Sequence, residues 1–110
     1  MATDHVPRAF AGLQQRYPEL MKASEAVGHA ARRAGPLDEK QIQLIQLAAS
    51  AAIRSEGAVH SHVRRALAAG ASTDEVRHAL IVLGSTIGFP TAIAAMSWAD
   101  DVLAPGPASP

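Results

Sequence analysis

A chain of 110 residues has the length of one domain, and 48% hydrophobic with 18% charged residues is the composition of a folded one. Ten Lys/Arg against ten Asp/Glu leave no net charge, so no summed field draws the chain to phosphate backbones or anionic lipid, and neither nucleic acid nor a membrane is expected as a partner. With no cysteine, disulfides, thiolate metal ligands and thiol redox chemistry are excluded.

The opening Met1-Ala2-Thr3-Asp4-His5 has an acid and no basic segment ahead of an apolar run. It does not read as a secretory signal, and the expected compartment is the cytoplasm. The apolar pattern then predicts helices almost throughout, with no period-two segment. A first helix is predicted from Pro7 or Arg8 to about Arg16, and a second to about Arg33, with Pro18 in its first turn and Gly35-Pro36 closing it. The third begins on a capping box, Asp38 with Gln41, with Leu37 stapled onto Ile42, and runs to about Arg54. The fourth covers Glu56 to about Ala69 and stops at Gly70. Ser72 and Glu75 open a fifth that continues to about Thr86, and Pro90 lies near the start of a sixth reaching about Leu103. Residues 1–103 therefore read as a single all-α domain of about six helices, and the Pro/Ala tail of residues 104–110 reads as disordered.

Two features of the apolar content bear on assembly and membranes. Alanine supplies 24 residues and aromatics only four, and at roughly 25 cal/mol per Å² an alanine core stabilises a small chain weakly. Close helix packing and self-association are the expected remedies. Ala79 to Ala99 is free of charge over 21 positions, long enough to span a bilayer. Gly88-Phe89-Pro90 in its middle reads instead as a break between two buried helices.

At about 100° per residue, the third helix is apolar around most of its circumference, which predicts a central, nearly buried element. Gln43, Gln46 and Ser50 share one narrow wedge. Two readings of that wedge stand: a strip exposed to solvent, or the polar wall of an internal pocket.

Ser55-Glu56-Gly57-Ala58-Val59-His60-Ser61-His62 is the chemically densest segment. Glu56 and His60 stand at i,i+4, where a carboxylate can orient an imidazole and raise its basicity, as a general base or as two ligands of a metal. His62 projects about 200° away from His60 on a straight helix, grouped with Ser55, Ala58 and Ala66. A metal would need a further ligand, with His78 or a neighbouring subunit as the visible sources. The plain alternatives are a structural ion pair for Glu56–His60 and a core histidine bonded to a carbonyl for His62. His78 itself reads as a surface or interface residue, His5 and His29 carry no supporting pattern, and Met96 and Trp98 read as core or subunit contacts.

The ordered pieces Gly35-Pro36-Leu37-Asp38-Glu39-Lys40, Ser55 to His62, Val63-Arg64-Arg65-Ala66-Leu67, Ala69-Gly70-Ala71 and Asp74-Glu75-Val76-Arg77-His78-Ala79-Leu80 resemble the carboxymuconolactone decarboxylase and AhpD-like alkylhydroperoxidase family. The resemblance covers roughly residues 35 to 103. It implies an AhpD-like orthogonal helical bundle and obligate homo-oligomers, commonly trimers or hexamers. The peroxidase branch works with a Cys-x-x-Cys pair, a His four residues on and a Glu on the preceding helix. Those positions correspond here to Ser55, Ala58, His62 and Gln43. Neither serine nor alanine can cycle through sulfenate and disulfide, so disulfide-relay peroxide reduction is excluded. The decarboxylase branch often carries a Glu and a His four apart, to which Glu56 and His60 are similar, although that register shifts the following Val63-Arg64-Arg65-Ala66-Leu67 by two residues.

The resemblance implies thiol-free acid–base chemistry of lyase or isomerase type on a small carboxylated or carbonyl compound. His60 would be the base, Glu56 its orienter, and His62 a second acid or substrate anchor. Ser55 and Gln43 would line the pocket, and Arg54 would receive a substrate carboxylate if it turned inward, with exposure to solvent as its alternative. The pattern requires no cofactor; a metal on Glu56, His60 and His78 is the one addition it admits. Against this stand a non-enzymatic scaffold or small-molecule-binding protein that has lost the cysteines, and a Glu/His metalloprotein.

Overall fold

A computed structural model describes residues 8–103. Both the first residues and the predicted Pro/Ala tail lie outside the described part. The chain divides into two compact units between Pro36 and Leu37. In the first, α1 (Arg8–Arg16) and α2 (Pro18–Arg33) are joined through Tyr17, whose N–H still donates to the Leu13 carbonyl at 2.7 Å. Pro18 occupies the first turn of α2, where no backbone donor is needed. No residue of α2 is buried, and Leu20 and Val27 are exposed.

The second unit holds α3 (Glu39–Ala52), α4 (Glu56–Ala68), α5 (Thr73–Ile81), a single turn α6 (Gly84–Ile87) and α7 (Phe89–Asp100). Both predicted capping boxes form. Asp38 and Gln41 exchange bonds at 2.8 and 3.0 Å, as do Ser72 and Glu75 at 3.0 and 2.8 Å. α3 packs along α4, and both meet α7. Ala51, Ala66, Ala92 and Ala95 are fully buried between them, so the alanines allow close backbone approach where larger side chains would hold helices apart. Leu47, Val59, Val63, Val76 and Leu80 fill the remaining interior. Lys40 on α3 reaches Glu75 on α5 at 2.9 Å. The Glu75 carboxyl is held below its ordinary 4.5, first by the Ser72 backbone N–H and then by Lys40, while its hydrogen bond to Lys40 holds that ammonium above 10.5.

Two expectations need correction. The fifth helix does not continue to Thr86. It ends at Ile81, and the chain restarts at Gly84, which is buried against the ring of Phe89 so closely that a Cβ there would collide with it. That contact comes from the next helix, so it leaves no local signal. Nor is α3 buried all round: Ile45, Ala49 and Ala52 face outward. No helix among the described residues is long and apolar enough to cross a membrane, and the uncharged stretch is divided among α5, α6 and α7.

Helices α3 and α4 end in the same motif with different residues. After α4, Gly70 takes φ 100°, its N–H bonds Leu67, and the next N–H, from Ala71, bonds Ala66. After α3, Arg54 takes φ 56°, its N–H bonds Ala51, and Ser55 bonds Ser50. These are Schellman closures, and the left-handed position favours glycine because a Cβ there costs about 1–2 kcal/mol. Gly70→Ala should therefore lower stability in urea unfolding by about 1–2 kcal/mol. Arg54→Gly should raise it by up to about 1 kcal/mol after the added freedom of the unfolded chain is counted. The reverse ordering would contradict these backbone assignments.

Candidate functional site

The start of α4 is fixed by Ser55, whose Oγ accepts from the Ala58 N–H at 3.4 Å. Serine suits this place because its short hydroxyl satisfies an otherwise unpaired donor of the first turn. The buried arc of α4 runs through Val59, Val63 and Ala66, so the helix is seated by apolar contact while its polar residues flank that arc.

On one flank, His62 faces α3. The polar wedge of α3 is turned inward, with Gln43 at 1% and Ser50 at 5% exposure. The solvent-strip reading is thereby overturned: these polar side chains are inside because they have partners there. Gln43 Nε2 donates to Glu39 Oε2 at 2.6 Å, and Gln43 Oε1 lies 2.8 Å from His62 Nδ1. The order of donors follows from the carboxylate. Glu39 can only accept, so the Gln43 amide must turn its NH₂ toward it and its oxygen toward His62. His62 Nδ1 must then carry the proton, which places the lone pair of the neutral ring on Nε2. On the same wedge, Ser50 Oγ donates to the Gln46 carbonyl at 2.7 Å. Gln46 Oε1 is buried with no hydrogen-bond partner among the described residues.

On the other flank, His60 faces α7. Its Nε2 lies 2.9 Å from Oδ2 of Asp101, the residue that caps α7. Glu56 joins them, with one ligand atom of each of the three residues within 4.8 Å of the others. His60 is thus bonded to Asp101 rather than to Glu56 as the i,i+4 spacing predicts. The third donor beside Glu56 and His60 is Asp101, and the exposed His78 does not belong to the cluster. Arg54 is exposed and donates to Thr91 Oγ1 at 2.9 Å.

The predicted site residues therefore fall into two groups rather than one. Gln43 and His62 come together with Glu39; Glu56 and His60 come together with Asp101; the two imidazoles bond to different helices. Two members were absent from the sequence reading. Glu39 had a signal, its i,i+4 spacing to Gln43. Asp101 had none, being 41 residues from His60.

The model of the carboxymuconolactone decarboxylase family matches residues 18–101. The chain belongs to that family. The fold of this family member is similar to the crystal structure of a carboxymuconolactone decarboxylase family protein from Legionella pneumophila, with a TM-score of 0.74 and 25% identity over 86% of this chain and 87% of that one. It is also 40% identical over 64 residues to an uncharacterized protein of Haemophilus influenzae, a match covering 58% of this chain and 57% of that protein. In this family member, Gln43 and His62 are in direct contact.

Gln43→Leu takes from His62 the acceptor at Nδ1 and should lower stability by about 1–3 kcal/mol in chemical unfolding. In a Glu39→Gln background, where no second carboxylate opposes it, Gln43→Glu retains the acceptor oxygen for His62 and should cost less than Gln43→Leu. Equal losses would show that the bond to His62 contributes nothing.

Proposed function

We propose that this chain carries out thiol-free acid–base chemistry, of lyase or isomerase type, on a small carboxylated or carbonyl compound, with His62 as the proton-transferring residue. The observation that carries this reading is the Glu39–Gln43–His62 chain, with separations of 2.6 and 2.8 Å, in which the central Gln43 is buried between an exposed Glu39 and a half-buried His62. A fully buried amide is costly unless both ends are satisfied. Here its effect is to fix one tautomer of one imidazole, which is what a general base requires.

His62 Nε2 takes a proton from the carbon beside a substrate carbonyl or carboxylate and can return it to the same or a neighbouring atom. Ser55 lies seven residues earlier on the same face of α4, about 10 Å along the axis. The histidine side chain leans back toward the N-terminus and shortens that gap to the span of a small acid. The Ser55 hydroxyl can donate to a substrate carboxylate there, supported by the positive end of the helix. Gln46 Oε1 offers an acceptor for a substrate hydroxyl. His62 is preferred to His60 as the base because its Nδ1 is oriented by the buried Gln43 amide, whereas His60 meets a carboxylate that is 58% exposed.

The active form is proposed to be a homo-oligomer, a trimer or hexamer. Ile45, Ile53, Phe89 and Ile93 are exposed at 53% to 75%, and Ile45 lies on the apolar outer strip of α3. Copies of the same chain are the natural cover for such side chains.

The reading is tested by incubating the chain in D₂O with a panel of small 2-oxo and unsaturated carboxylic acids and following deuterium incorporation by mass spectrometry. Exchange on one or more acids is expected, lowered by about 10²–10⁴-fold in His62→Ala. Exchange that survives that substitution would refute the role of His62. No exchange on any acid would favour the non-enzymatic binding protein.

A further inference from the structure

We propose that Glu56, His60 and Asp101 form a binding site for a divalent first-row transition metal, separate from the His62 chain and independent of its role. The donors come from two elements. Glu56 and His60 occupy the first two turns of α4, and Asp101 caps the end of α7. Their ligand atoms already lie within 4.8 Å of one another, so no backbone movement is needed to bring them onto one ion. The His60 Nε2 to Asp101 Oδ2 separation is 2.9 Å. Two ligands about 2.1 Å from a tetrahedral metal stand about 3.4 Å apart, so a side-chain opening of about half an ångström gives this pair the spacing of adjacent ligands.

The charges point the same way. Asp100 and Asp101 sit at the C-terminal, negative end of α7, and the last turn of that helix contains no basic residue. Asp100 is met by Arg77 at 3.3 Å. Asp101 is met only in part by an imidazole that is neutral unless protonated, while Glu56 brings a second negative charge to the same place. A dication compensates both carboxylates and the helix end together. One nitrogen and two carboxylate oxygens, with no sulfur, suit Zn²⁺, Co²⁺ or Mn²⁺ better than Mg²⁺ or Ca²⁺, which favour oxygen alone. Asp101 is 58% exposed and His60 23%, which leaves the outer coordination positions to water.

The test uses the full chain, purified without a histidine tag, stripped with chelator and titrated calorimetrically with Zn²⁺ alone. Melting temperature is measured with and without the ion. The expected result is one equivalent bound per chain and a higher melting temperature, since an ion bound to the folded state stabilises it. His60→Ala and Asp101→Asn should each weaken binding at least tenfold and abolish the thermal shift, and His78→Ala should change neither. Circular dichroism of the variants establishes that each is folded. Absence of stoichiometric binding, binding undiminished in either ligand variant, or loss of binding in His78→Ala would overturn the proposal.

Discussion

A glutamine with almost no exposure to water joins the two central helices of this chain. Gln43 spans from Glu39 on its own helix to His62 on the next. Its burial turns the wedge of α3 inward, and with the wedge go Ser50 and the Gln46 amide oxygen. The opposite face of the same helix then has to be the apolar one, and Ile45, Ala49 and Ala52 are on it. The site and the outward apolar strip are therefore two sides of one rotation of α3 about its axis.

Alanine makes that arrangement possible. With Ala51, Ala66, Ala92 and Ala95 at the contacts, α3, α4 and α7 approach closely, and α4 can present one imidazole to each neighbour. His62 meets α3 and His60 meets α7. A core of larger residues would separate the helices and put those bonds out of reach. The same small residues bury little apolar area per helix, which leaves the second unit with large side chains uncovered.

What was legible in the residues was local. The boxes at Asp38 and Ser72 and the glycine that ends α4 depend on neighbours three or four positions away, and all are present. Arg54 in a left-handed closure was not legible, since the motif calls for glycine and only the backbone reveals it. The break after Ile81 depends on the Phe89 ring lying against Gly84, a contact made by the following helix. The site was half legible for the same reason. Family resemblance paired Gln43 with His62, and their contact has that pairing. Helical spacing paired Glu56 with His60, and the partner that His60 bonds, Asp101, carries no mark in the local sequence. A polar wedge reads as surface until its partner is known, and here the partner lies 19 residues away on another helix.

The central claim is that a buried amide fixes which nitrogen of His62 holds the proton. Nitrogen-15 NMR of the imidazole, recorded with the ring neutral and assigned by comparison with His62→Ala, reads this directly. The account predicts the Nδ1–H tautomer in the wild type and loss of that preference in Gln43→Leu. An Nε2–H ring in the wild type, or a tautomer unaffected by removing Gln43, would contradict it.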